Sequence, residues 1–121
     1  VELHLEPPVR ELILCHCIEC RRWHGAAPAY LAVARHRLRV TGPLAWFDRD
    51  GWPRRGFCCR CGSSLVWDDP TRDTVGVVAG ALEQPSGLRV IAEIYTDDIT
   101  DYDRDRLHAG AAVQRHPGPG D

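Results

Sequence analysis

Six cysteines fall in two tight clusters and nowhere else, Cys15-His16-Cys17-Ile18-Glu19-Cys20 and Cys58-Cys59-Arg60-Cys61. Disulfide frameworks spread their cysteines along a chain to staple separate loops, whereas a metal ion needs several sulfurs aimed at one point from one tight turn. At about 5% of the residues, cysteine also lies below the roughly 8–10% of small disulfide scaffolds. The pattern reads as metal binding in a reducing compartment, hence as a cytoplasmic protein.

The first cluster is a C-x-C-x-x-C run. Its C-x-x-C half makes a knuckle, and the cysteine two residues earlier points to the same side, so Cys15, Cys17 and Cys20 can surround one ion. Three ligands leave a tetrahedral zinc with one open position, as a catalytic or substrate-binding site requires. Three thiolates weaken zinc as a Lewis acid, yet let it hold an incoming thiol as thiolate near neutral pH. Sulfur chemistry suits such a site. In the second cluster Cys58 and Cys61 form a C-x-x-C knuckle followed by Gly62, which is half of a zinc site. On spacing alone three arrangements stay open: one closed structural zinc on Cys17, Cys20, Cys58 and Cys61, two separate metals, or redox disulfides.

Composition narrows the partners. The 121 residues suit one domain, and 44% apolar with 26% charged residues is an ordinary globular balance. A net charge of −2 gives no broad electrostatic reason to expect nucleic acid or an anionic membrane. The longest weakly polar run, Gly25 to Ala34, contains Pro28 and falls far short of the roughly 20 residues of a spanning helix.

Turn signals cut the rest into short segments. Strands are expected at Val1 to Leu5, Tyr30 to Ala34, Arg37 to Thr41, Leu44 to Phe47, Ser64 to Trp67, Thr74 to Ala79 and Leu88 to Tyr95, while Val9 to Leu14 and Arg54 to Cys58 lead into the two cysteine clusters. Thr74 to Ala79 and Leu88 to Tyr95 are the clearest. Arg35, Arg37 and Arg39 fall on one face of such a strand and read as a solvated stripe. Cys20 to His24 suits a single helical turn ended by Gly25, and Asp97 to Arg106 another turn. No ten-residue stretch has a good helical period, so the fold class is mainly β. A single domain over 1–107 is expected, followed by a polar, disordered tail over 108–121. The chain has no Met and opens on strand-like alternation, so either an initiator was removed or residues precede Val1.

The run Cys15-His16-Cys17-x-x-Cys20-Arg21-x-x-x-Gly25-Ala26, followed by Arg55-Gly56-Phe57-Cys58-x-x-Cys61-Gly62-Ser63-x-Leu65, resembles the glutathione-dependent formaldehyde-activating enzyme family, which includes centromere protein V. The resemblance extends from about Leu14 to the strand Leu88 to Tyr95. It implies an Mss4-like fold of twisted antiparallel sheets with two zinc ions. Cys15, Cys17 and Cys20 would be catalytic and hold the first zinc, while Cys58 and Cys61 would be metal ligands for half of the second. The family's C-x-C-G segment, which supplies the other half, has no counterpart here, and His4 or Cys59 would be the local substitutes. Relatives often carry His where this chain has Glu93. The activity implied is a carbon-sulfur lyase reaction on glutathione and formaldehyde, giving S-hydroxymethylglutathione. Because the uncatalysed addition is already feasible, a non-catalytic zinc module that binds a small thiol or a protein is the alternative.

Other residues flank the cysteines with chemistry of their own. Arg21 and Arg22 are candidates for binding the substrate carboxylates of glutathione, since a guanidinium fork matches that group. His16 should face away from the metal because neighbours in extended chain point to opposite sides. Trp23 and His24 read as pocket wall or core. Cys59 should be a buried free thiol, the only one spare for methionine sulfoxide chemistry. Ser63 and Ser64 have no evident base partner, so serine nucleophilic chemistry is not expected.

Overall fold

Among the described residues, short segments with alternating side chains form nine strands, and their period of two decides which residues meet. The computed structural model describes residues 1–109 and 114–119. The strands are β1 (Glu2–Leu5), β2 (Val9–Cys15), β3 (Ala29–Ala34), β4 (Leu38–Thr41), β5 (Leu44–Phe47), β6 (Arg54–Cys58), β7 (Ser64–Asp68), β8 (Thr74–Val78) and β9 (Val90–Ile94). Helix α1 (Ile18–His24) follows β2, and α2 (Asp101–Ala109) follows β9. The fold is mainly β.

Seven strands form one sheet in the order β5-β6-β7-β8-β3-β2-β9, while β1 and β4 pair with each other in a separate ribbon. Every pairing is antiparallel except β2 with β9, where Leu14 lies beside Glu93 and Cys15 beside Ile94. In the middle, β3 and β8 set Leu31 against Val77 and Val33 against Val75. Leu31, Val33 and Val77 are almost fully buried and join Leu12 in the main core. Leu3 and Leu38 of the ribbon close that face, reaching also a neighbouring cluster of Cys58, Leu65, Val66 and Val75.

Tyr30, one residue before Leu31, points through the other face and packs with Cys15 and Cys20. Thus one face of the sheet is an apolar core and the other carries the thiols. A register shift in β2 between Arg10 and Ile13 lets both residues line the thiol face although three positions separate them.

Several segments depart from expectation. Arg35–Arg37 is a 3-10 turn rather than strand, so the arginine stripe is broken. Arg35 instead reaches Asp68 Oδ1 at 2.7 Å, and Arg37 donates to the Pro7 carbonyl at 2.7 Å. Asp68, buried at the end of β7, also meets Arg54 at 2.8 Å. A buried carboxylate requires such partners, and this demand overrides the strand propensity of the stripe. Helix α1 is seven residues long, ended as expected by Gly25, whose positive φ of 80° lets its N–H close onto Arg21 O at 2.8 Å. Helix α2 is nine residues rather than one turn. Its start is fixed by Thr100, whose Oγ1 accepts the Asp103 N–H at 3.3 Å. Of the tail expected over 108–121, residues 108 and 109 belong to α2, 114–119 carry no helix or strand, and 110–113 and 120–121 lie outside the described residues.

Candidate metal and thiol site

Cys15 ends β2, Cys17 caps α1 and Cys20 lies in the first turn of that helix. The cap is chemical as well as positional: Cys17 Sγ accepts the Cys20 N–H at 3.3 Å, as a serine oxygen would. Two backbone bonds pin the approach, Cys15 N–H to Pro28 O at 2.9 Å and His16 N–H to Ile94 O at 3.0 Å. The three Sγ atoms consequently lie within 4.8 Å of one another. A tetrahedral zinc with 2.3 Å bonds would set its sulfurs about 3.8 Å apart, so the trio fits such an ion with little movement.

Arg55 of β6 lies beneath the trio, 8% exposed. Its Nη2 donates to Cys20 Sγ at 3.7 Å and its Nη1 to the Tyr30 hydroxyl at 3.4 Å. No carboxylate pairs with it among the described residues. A buried guanidinium needs a counter-charge, and the thiols are the only acidic groups it touches. Cys20 is accordingly held down to about 5, first because the Cys15 thiol donates to it and then because of Arg55. Cys15, as the donor and buried, is pushed well up. A dication held by three thiolates would leave one negative charge, which Arg55 is placed to balance.

Behind Arg55 the polar contacts continue. His24 Nδ1 donates to Cys20 O at 2.9 Å, and a carbonyl can only accept, so Nε2 is the acceptor. Two hydroxyls converge on it, Tyr30 at 3.1 Å and Ser64 at 2.9 Å. Burial pushes His24 down and Tyr30 up, which keeps both neutral. Ser64, for which no base partner was expected, therefore does meet a histidine; it also accepts from Trp23 Nε1 at 3.1 Å. Trp23, His24 and Ser64 wall a second, more open recess with Phe57 and Leu65.

Above the trio opens a cavity of about 500 Å³. Cys15, Cys17 and Cys20 line it, with Tyr30, Phe47, Trp52 and Trp67 as apolar walls. The sequence pattern of the glutathione-dependent formaldehyde-activating enzymes matches residues 1–98. The chain belongs to that family. No curated protein matches it. No helix among the described residues is long and apolar enough to cross a membrane.

Membership of the formaldehyde-activating family directs attention to where the anticipated site residues lie. The trio is brought together. Arg21 and Arg22, expected to bind carboxylates, do not line the cavity; Arg10, Arg49, Arg55 and Arg72 do. Arg22 is exposed, two 100° steps round the helix from Cys20, while Arg21, one turn after Cys17, is partly buried outside the cavity lining. His16 faces away from the trio as expected, buried, with Nε2 2.8 Å from Glu93 Oε1.

The second cluster forms a tight turn. Gly62 N–H closes onto Cys58 O at 2.8 Å, and Cys61 Sγ sits 3.1 Å from Ser63 Oγ, whose hydroxyl and backbone N–H hold the Cys61 thiol below its ordinary value. Among the described residues only Cys15, Cys17 and Cys20 form a group of three or more metal-ligand atoms, so the closed site on Cys17, Cys20, Cys58 and Cys61 is not assembled. Cys59 is exposed rather than buried. Its N–H donates to Pro43 O at 2.9 Å, which leaves the residue on the outside of the knuckle.

Proposed function

We propose that this chain is a zinc-dependent carbon-sulfur lyase that joins the thiol of glutathione to formaldehyde, with Cys15, Cys17 and Cys20 as its metal ligands. The observation that carries the reading is three thiols within 4.8 Å at the floor of a cavity large enough for a tripeptide end. A zinc ion bound there would supply a centre that stabilises the substrate sulfur as thiolate. In the reaction the sulfur lone pair forms a bond to the aldehyde carbon, the carbonyl π pair moves to oxygen, and the proton lost by the thiol is matched by one gained at that oxygen. The product is S-hydroxymethylglutathione. Arg55 favours the anionic form of Cys20, and the aromatic walls exclude water around the reacting groups. Cys58 and Cys61 are read as half of a second, structural metal site, residues 1–107 as one unit, and a reducing compartment such as the cytoplasm as its place of action.

Zinc stoichiometry with glutathione calorimetry tests the proposal, followed by exchange NMR between formaldehyde hydrate and the hydroxymethyl adduct. Zinc-dependent glutathione binding abolished in Cys15→Ser, with exchange faster than in buffer, is the expected result. Glutathione binding without faster exchange would turn the reading to a thiol-binding module; no zinc on the trio would remove it.

A further inference from the structure

Four arginines line the cavity, and each has a partner within the protein. Arg55 serves Cys20 and Tyr30. Arg10 donates to the carbonyls of Glu11 at 3.2 Å and Tyr30 at 3.0 Å. Arg72 pairs at 3.5 Å with Asp69, which lies outside the cavity lining. Arg49 differs. Its ion-pair partner is Glu19, at 3.3 Å from Nη2, and Glu19 itself lines the cavity between two of the site's cysteines.

The setting of Arg49 is built rather than incidental. It stands at the tip of the β5–β6 hairpin, where Trp52 N–H closes a turn onto Arg49 O at 3.0 Å, with Gly51 at φ 78° supplying the left-handed step. The turn folds Trp52 back so that the guanidinium lies over its ring, 4.2 Å from the centroid. Both side chains line the cavity. The stack orients a planar fork whose remaining donors suit a second carboxylate oxygen pair. Both members of the Arg49–Glu19 pair are about half exposed, so the contact is weak and exchangeable.

We propose that Arg49 is the specificity residue that reads a carboxylate of the thiol substrate, with Glu19 occupying its fork until that carboxylate arrives. This rests on the reading of the cavity as a glutathione site. The hairpin tip is then tied to α1 in the empty cavity and to the ligand in the filled one. A thiol lacking carboxylates has nothing to offer Arg49 and must leave the Glu19 pair in place.

The test is calorimetry on the zinc-loaded full chain with glutathione and with cysteamine, a thiol without a carboxylate. Arg49→Gln is expected to weaken glutathione about tenfold, the loss of one charged hydrogen-bonded contact at a half-exposed site, and to leave cysteamine within about twofold. Glu19→Gln is expected to tighten glutathione by up to about fivefold, because its competitor is neutralised. Arg49→Lys, which keeps the charge without the fork, should restore part of the affinity. Equal weakening of both thiols by Arg49→Gln would show a merely structural hairpin and overturn the proposal, as would glutathione affinity unchanged in that variant. If Arg49→Gln fails to fold, Glu19→Gln decides: unchanged or weaker glutathione binding overturns the proposal. Wild-type protein that binds cysteamine but not glutathione overturns it too, while failure to bind either thiol removes the underlying reading.

Discussion

The Arg55 guanidinium and the Cys20 sulfur lie 3.7 Å apart in a buried layer where Arg55 meets no carboxylate among the described residues. Each favours the other as an ion, alongside the Cys15 thiol that donates to Cys20. Arg55→Met keeps the volume and removes the charge, so the Cys20 thiol should titrate well above its present value of about 5. Following alkylation rate against pH in the metal-free protein would reveal the shift, and zinc affinity should fall about 10–100-fold, the usual cost of losing an outer partner of a metal ligand.

The same pair sets a pH dependence in the metal-free protein. Cys20 has a folded value below the roughly 8.5 of an unfolded thiol, so its contribution to stability grows from about pH 5 to pH 9 and is lost as the pH falls. Cys15 is shifted the opposite way, so its contribution is present below about pH 8.5 and lost above it. Thermal unfolding of metal-free protein should therefore show stability rising to near pH 8–9 and declining beyond. Arg55→Met should flatten the rising limb.

Asp68 is the second buried charge with a defined partner set. Burial opposes its ionisation, yet Arg35 and Arg54 prevail and hold it below the ordinary carboxylate value. Asp68→Asn should cost about 1–3 kcal/mol, discounted from a fully buried pair because both arginines are partly exposed. Since the wild-type advantage exists above the unfolded value near 4 and disappears as pH falls, urea midpoints of the two proteins should differ at pH 7 and converge toward pH 3.

Gly25 ends α1 with φ 80°, and a Cβ there would meet nothing within 4 Å. The penalty of Gly25→Ala is thus backbone alone, about 1 kcal/mol in a denaturation experiment. Zinc content should stay at the wild-type level, because Cys15, Cys17 and Cys20 all precede the helix end.

What could be read in the chain beforehand follows the range of the interactions. β5 was legible to the residue, since Gly42-Pro43 and the Asp48 to Gly51 tip bound it locally, and the thiol trio was legible because its three members lie within six consecutive residues. Arg35–Arg37 misled because the pull of Asp68 comes from β7, across the sheet. The cavity was not legible: Tyr30, Arg55 and Trp67 come from three strands, and only their common face unites them. α2 had a readable signal in Thr100 with Asp101 and Asp103, a cap with an acidic first turn, but its weak apolar pattern hid it.

The parallel partnership of β2 and β9 joins positions near opposite ends of the chain, and it has a consequence for the order of assembly. The thiol trio and its helix can form as soon as β2, α1 and β3 have left the ribosome, since their contacts are local. Ile94 and Tyr95, which line the cavity, and Glu93, which receives His16, are among the later residues to be synthesised. Until β9 has been made and docks, the growing chain carries clustered thiols with that wall missing, accessible to metal from that side. Docking of β9 then completes that wall, and the cavity above the trio becomes the remaining approach to the thiols.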